Sequence, residues 1–160
     1  MKKIKTMKDL VNYLILCNKK ISTMESCTGG DVANEITNIE GASNIFGFGM
    51  VTYSNEYKIK QGVNKKTIEE YTVYSLEVAN EMSRVVQNYT SSDYAIGITG
   101  QMRRVDPNNI TDEDNRVYIS IYVKEDDKYY NKIVIMNKKT RRENKRVVIE
   151  AVIEMFNSIL

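Results

Sequence analysis

The spacing of apolar residues in this 160-residue chain switches repeatedly between a long and a short period, and that alternation restricts its fold more than any other feature. Leu10, Val11, Leu14 and Cys17 share one helical stripe, and Ile21 to Met24 then forms a short strand-like run. Val32, Ala33 and Ile36 return to helical spacing. Gly47 to Tyr53 is the next strand, followed by a short charged helix from Asn55 to Gly62 and a helical turn at Thr67 to Tyr71. From Ser75 onward, Leu76, Val78, Ala79, Met82 and Val86 predict a further helix. Tyr94 to Thr99, Val117 to Val123 and Tyr130 to Met136 have strand character. Thr140 to Ile159 is a long helix with Val148, Val152, Met155, Phe156 and Ile159 facing inward. Five strands with helices between the first three predict an α/β chain, folded as a three-layer α/β/α sandwich around a five-stranded mixed sheet. Lys124 to Lys128 is only a hairpin-length link between the last two strands, so one strand should run antiparallel. The length predicts a single domain over residues 1–160.

Composition narrows the chemistry. The chain has no histidine, which excludes Ser-His-Asp and Cys-His machinery and imidazole ligation of zinc. A base acting near neutral pH must then be a lysine, a tyrosine, a carboxylate or bound water. With 23 basic against 21 acidic residues the net charge is +2, too small to predict a nucleic-acid or membrane-surface partner. Cys17 and Cys27 are too few for a four-thiolate zinc site. The N-terminal segment has the pattern of an amphipathic helix rather than of a signal peptide, and no apolar run is long enough to span a membrane. A cytoplasmic location with reduced thiols is expected, and the sequons at Asn88 and Asn109 are chance matches.

Two stretches carry candidate chemistry. Ser26 lies where a strand meets a helix, just before Thr28-Gly29-Gly30. Thr28 suits a helix N-cap, and the glycines open backbone N–H groups to a phosphate or a developing oxyanion. A tight turn with a capped helix is the plainer reading, and Asp31 competes with any anion for the same field. In the second stretch Tyr53 ends a strand, Ser54 or Asn55 can cap the next helix, and Lys58 lies about one turn inside it. Strand ends of an α/β sheet face the usual ligand crevice, so Tyr53 and Ser26 could share one cleft. Against this, Lys58 could belong with Lys60 to a solvated face.

Taken together the stretches are specific. Glu25-Ser26-Cys27-Thr28-Gly29-Gly30, Gly41-Ala42-Ser43, Gly49 to Glu56 with Lys58, and Gly62-Val63 closely resemble the CinA C-terminal domain family. The similarity continues through Ser75-x-Glu77-Val78-Ala79, Asp93-Tyr94-Ala95 and Thr99-Gly100 and so runs along nearly the whole chain. That family comprises competence-damage-inducible proteins and stand-alone nicotinamide-nucleotide amidohydrolases. The resemblance implies hydrolysis of the carboxamide of nicotinamide mononucleotide to nicotinate mononucleotide and ammonia, with a small-molecule nucleotide as partner. It implies Ser26 as nucleophile, Lys58 as its base and Tyr53 as an assisting hydroxyl, with Thr28, Gly29, Gly30, Thr99, Gly100 and Arg141 around the substrate. It also suggests self-association into a homo-oligomer. A serine–lysine mechanism needs no cofactor or metal.

The chain departs from the family after the third strand, where a glycine- and proline-rich loop and a Gly-Thr pair are usual. Here Gly100 is followed by Gln101-Met102-Arg103-Arg104-Val105-Asp106-Pro107, with Asn115 and Arg116 in place of the pair. Met102 and Arg103 do not easily copy the positive φ of glycine. Arg103 or Arg104 could set a guanidinium against phosphate, or be solvated loop residues. The altered loop leaves two alternatives open, a non-catalytic nucleotide-binding domain and an amidase with a different substrate. Lys138, Lys139, Arg141, Arg142, Lys145 and Arg146 crowd the start of the last helix against Glu143, which opposes its dipole. A bound anion would relieve that charge, and a solvated face is the plainer reading. Asp112, Glu113 and Asp114 have no calcium-loop spacing around them.

Overall fold

The computed structural model describes residues 3–103 and 115–160. The expectations placed on Arg104, Pro107, Asn109 and the acidic Asp112 to Asp114 run lie outside the described residues. The helices are α1 (Met7–Cys17), α2 (Asp31–Thr37), α3 (Asn55–Gln61), α4 (Lys65–Tyr71), α5 (Leu76–Thr90) and α6 (Arg141–Ile159). The strands are β1 (Ile21–Glu25), β2 (Phe46–Val51), β3 (Tyr94–Gly100), β4 (Arg116–Val123) and β5 (Lys128–Ile135). They form one five-stranded sheet in the order β2-β1-β3-β4-β5. β1 is parallel to β2 and β3, while β4 is antiparallel to both β3 and β5. β4 alone therefore runs against the other strands, as the short hairpin link requires.

Side-chain alternation along the strands sorts the helices onto two faces. Ile21, Ile96, Ile98, Ile119 and Ile121 pack against Leu10, Leu14, Val32, Ile36, Val148, Val152 and Phe156, which puts α1, α2 and α6 on one side. Met24, Ala95 and Tyr122 point the other way, toward Ile68, Val78, Met82 and Val86 of α4 and α5. All five residues of β1 are buried, as expected of a strand covered on both faces.

Gly97 sets the spacing between β3 and α5. A Cβ there would lie 2.3 Å from the Ala79 carbonyl oxygen and 2.5 Å from the Ser83 nitrogen, both rigid helix backbone. Gly97→Ala must push α5 off the sheet, and a loss of about 3 kcal/mol or more is expected in urea unfolding, at or beyond the upper end of ordinary overpacking.

The chain order places the site. β1 connects through α2 to β2 on one side, and β2 returns through α3, α4 and α5 to β3 on the other. The two connections cover opposite faces, so the ends of β1, β2 and β3 open at a topological switch point, where ligands of open α/β sheets bind. β5 ends at this same edge, and α6 therefore begins beside it. β2 stops at Val51, two residues short of the expected Tyr53. The Thr52 N–H still bonds the Glu25 carbonyl (2.8 Å), after which the chain turns so that Ser54 caps α3.

Candidate active site

Ser26 follows β1 directly, and its N–H is fixed by the Ile98 carbonyl at 3.0 Å. Lys58 arrives from α3, whose first turn is set by the Ser54 side chain accepting from the Tyr57 N–H. The two meet: Lys58 Nζ lies 2.9 Å from Ser26 Oγ although 32 positions separate them. Nζ also donates to the carbonyls of Thr52 (2.8 Å) and, more distantly, Tyr53 (3.4 Å). Lys58 is 1% exposed and Ser26 6%. The solvated-face alternative thus holds for Lys60, which pairs with Glu56 at 2.9 Å, and not for Lys58. A neutral amine in this position can give its two N–H groups to the carbonyls and its lone pair to the serine proton. That arrangement is what a hydroxyl needs to become a nucleophile without histidine.

Glu25, the residue before Ser26, had no role assigned from the sequence. Its carboxylate is wholly buried and accepts from the Thr28 hydroxyl (2.7 Å), the Val32 N–H (2.9 Å) and the Ala33 N–H (3.0 Å). The expectation that Thr28 caps α2 is corrected. Gly30 is the N-cap residue, in the left-handed region, and Glu25 reaches over from β1 to fill the positive end of α2. A carboxylate takes that place because it can accept from several donors at once and is favoured by the helix dipole. Gly29 is likewise not an open donor, since its N–H bonds the Ser26 carbonyl at 2.9 Å. Among the described residues, the amides of Cys27, Thr28 and Gly30 have no backbone acceptor.

Against known proteins, the family profile described as "CinA C-terminal domain" matches residues 3–160. This chain belongs to the CinA C-terminal domain family. A CinA-like protein of Kosmotoga olearia is 39% identical over 117 residues, 71% of this chain and 28% of that protein. A relative from Caldicellulosiruptor saccharolyticus, named as a competence-damage inducible protein, is 44% identical over 92 residues, 57% of this chain and 22% of that protein. The chain thus spans about a quarter of the length of these relatives. The fold matches a CinA superfamily protein of Escherichia coli at a TM-score of 0.84 and 23% identity, covering 100% of this chain and 94% of that one. It matches a competence or damage-inducible protein of Enterobacter asburiae at 0.87 and 17%, covering 99% of each.

The remaining residues singled out by resemblance to CinA fall into two groups. Arg141 and Tyr53 stand together at the surface, where the guanidinium donates to the Tyr53 hydroxyl (3.2 Å) and to the Met102 carbonyl (3.4 Å). Thr99 and Gly100, at the end of β3, also have roles in the fold. The Thr99 hydroxyl is buried and donates to the Val73 carbonyl at 2.7 Å. A Cβ at Gly100 would strike β4, at 2.5 Å from the Arg116 oxygen and 2.6 Å from Val117 Cα. In the departing loop Arg103 does take a positive φ, 67°, and its guanidinium donates to the Lys138 carbonyl at 2.6 Å rather than facing a phosphate. Met102 beside it is buried in the core.

Cys27 lies next to Ser26 and is buried. Burial pushes its thiol up to about 12, so the thiolate is scarce at neutral pH. Cys17 is exposed. Iodoacetamide at pH 8 is expected to modify the native protein only at Cys17 and the denatured chain at both cysteines, as read by intact mass.

Proposed function

We propose that this chain is an amidohydrolase that deamidates nicotinamide mononucleotide to nicotinate mononucleotide and ammonia. The observation that carries the reading is the buried contact of 2.9 Å between Ser26 Oγ and Lys58 Nζ. Ser26 Oγ attacks the carboxamide carbon while neutral Lys58 takes the hydroxyl proton. The oxygen of the tetrahedral intermediate is met by backbone N–H groups of Cys27, Thr28 and Gly30, each such donor lowering the barrier by about 3 kcal/mol. The C–N bond then breaks, Lys58 returns its proton to the departing nitrogen, and ammonia leaves an ester on Ser26. Water attacks that ester with Lys58 again accepting a proton, which finally restores the serine hydroxyl. Tyr53 supplies the assisting hydroxyl, held by the Arg141 guanidinium that donates to it, and Arg141 helps hold the substrate.

A substrate panel read by ammonia release tests this directly. Nicotinamide mononucleotide should be hydrolysed in the presence of chelator, and faster than nicotinamide, nicotinamide riboside or simple aliphatic amides. Binding of the mononucleotide without ammonia would instead support a nucleotide-binding domain, and release from another amide alone would change the substrate.

A further inference from the structure

We propose that the pocket at the start of β1 and β2, at the opposite end of the sheet from Ser26, is a second ligand site that takes a small planar aromatic carboxylate. The site rests on a break in the edge strand. Ile21 of β1 pairs with Phe46 and Thr23 with Gly49, so β2 takes three steps where β1 takes two. The extra residue lies at Gly47-Phe48 and makes a β-bulge, which re-aims the side chains around it. Residues two apart on a regular strand face the same side. Phe46 instead packs with the core under α1, α2 and α6, while Phe48 packs on the α4 and α5 side. There Phe48 stacks on Tyr89 near the end of α5, with ring centroids 4.8 Å apart, and Tyr89 stays 69% exposed.

The bulge leaves a pocket of about 340 Å³, toward the small end of the range that ligand sites occupy. The Phe48 and Tyr89 rings line it together with Ile21 and Ile45, surfaces that suit a flat apolar ring. Gly47 also lines it, and a Cβ there would meet nothing within 4 Å, so the place of the missing side chain is open space. The two hydroxyl residues of the lining are engaged within the protein. Thr90 Oγ1 donates to the Val86 carbonyl (2.8 Å), and Ser92 Oγ shares a hydrogen bond with Ser22 Oγ (2.7 Å). Lys20 is the only charged residue among the described residues that line the pocket. Its ammonium donates to the Asn44 carbonyl, which uses one of its three N–H groups. Among the described residues no carboxylate lies within ion-pair distance of it. Asp93, whose carboxylate accepts from the Lys20 backbone N–H (2.7 Å), is paired with Lys19 (3.5 Å). An ammonium without a counter-ion beside aromatic walls matches a ring that carries a carboxylate, and favours it over the neutral ring. β1 is five residues long, about 16 Å, and holds this pocket at its start and Ser26 just beyond its end, so the two sites are separate.

The test reads binding alone, by calorimetry at neutral pH, with 2-naphthoate as the probe and 2-naphthamide as its neutral control. The wild type should bind 2-naphthoate with a Kd below about 1 mM, and 2-naphthamide about 10-fold more weakly. Gly47→Leu should fill the pocket without a clash and weaken 2-naphthoate about 10-fold or more, with a urea unfolding midpoint close to that of the wild type. Lys20→Met should weaken the acid about 10-fold and leave the amide unchanged, whereas Tyr89→Ala should weaken both. No binding of 2-naphthoate to the wild type, or equal binding of the acid and the amide, would overturn the proposal. Undiminished binding to a Gly47→Leu protein that is folded by circular dichroism would place the acid elsewhere in the molecule and overturn it as well. Should that variant fail to fold, Lys20→Met and Tyr89→Ala carry the test, and unchanged 2-naphthoate binding in both would be the contrary result. Because no turnover is read, each outcome holds whether or not the chain releases ammonia.

Discussion

Ser26→Ala and Lys58→Met are each expected to cut ammonia release from nicotinamide mononucleotide by about 10⁴-fold or more, the scale seen when one member of a nucleophile–base unit is removed. The alanine deletes the hydroxyl that forms the ester in the proposed reaction. The methionine keeps an unbranched stem in the slot where Lys58 is 1% exposed, and removes only the amine that lies 2.9 Å from the hydroxyl. Because the two act as one unit, the double variant should be little worse than either single one. Ammonia assays on all three, beside urea unfolding curves, separate chemistry from folding. A Lys58→Met enzyme retaining a tenth of wild-type turnover would remove lysine from the role of base.

Glu25→Gln should damage both stability and rate, although no atom of Glu25 is assigned to the substrate. The carboxylate offers Oε1 to the Thr28 hydroxyl and the Val32 N–H, and Oε2 to the Ala33 N–H. An amide has one acceptor oxygen, so its NH₂ must face at least one of these donors in a fully buried site. Leaving a buried donor unpaired and losing charge-assisted bonds is expected to cost about 2–4 kcal/mol in urea unfolding. The same carboxylate anchors the turn from Ser26 to α2. A displacement there of about 1 Å should lower kcat about 10²-fold in the protein that remains folded. Thr28→Val, which removes one of the three bonds at similar size, should lose less than half as much stability as Glu25→Gln. An equal loss from Thr28→Val would show that the hydroxyl, and not the carboxylate, secures the turn.

The helices and strands were legible because each has one apolar period and a local boundary signal. Thr140 with Glu143 marks the start of α6, and Ser75 that of α5, each through a side chain accepting from an amide three residues on. The hairpin-length link before β5 was enough to predict a strand running against the others. Partners far away in the chain left no such trace. Thr99 has the composition of any strand residue, and only the fold brings its hydroxyl to Val73, 26 positions earlier. Glu25 was visible within the motif, yet Thr28 is the better local cap, and a carboxylate reaching forward from the preceding strand has no spacing rule. The meeting of Ser26 with Lys58 was expected from family resemblance, since no local pattern distinguishes a buried lysine on a charged helix from its solvated neighbour Lys60.

The most direct test of the central claim, a serine made nucleophilic by the buried lysine, does not depend on the substrate. Wild-type protein and Lys58→Met are each incubated with a small sulfonyl fluoride and mapped by peptide mass spectrometry. Modification at Ser26 in the wild type and none at that residue in Lys58→Met is the predicted result. An unmodified Ser26 in the wild type, or equal modification in both proteins, would contradict it.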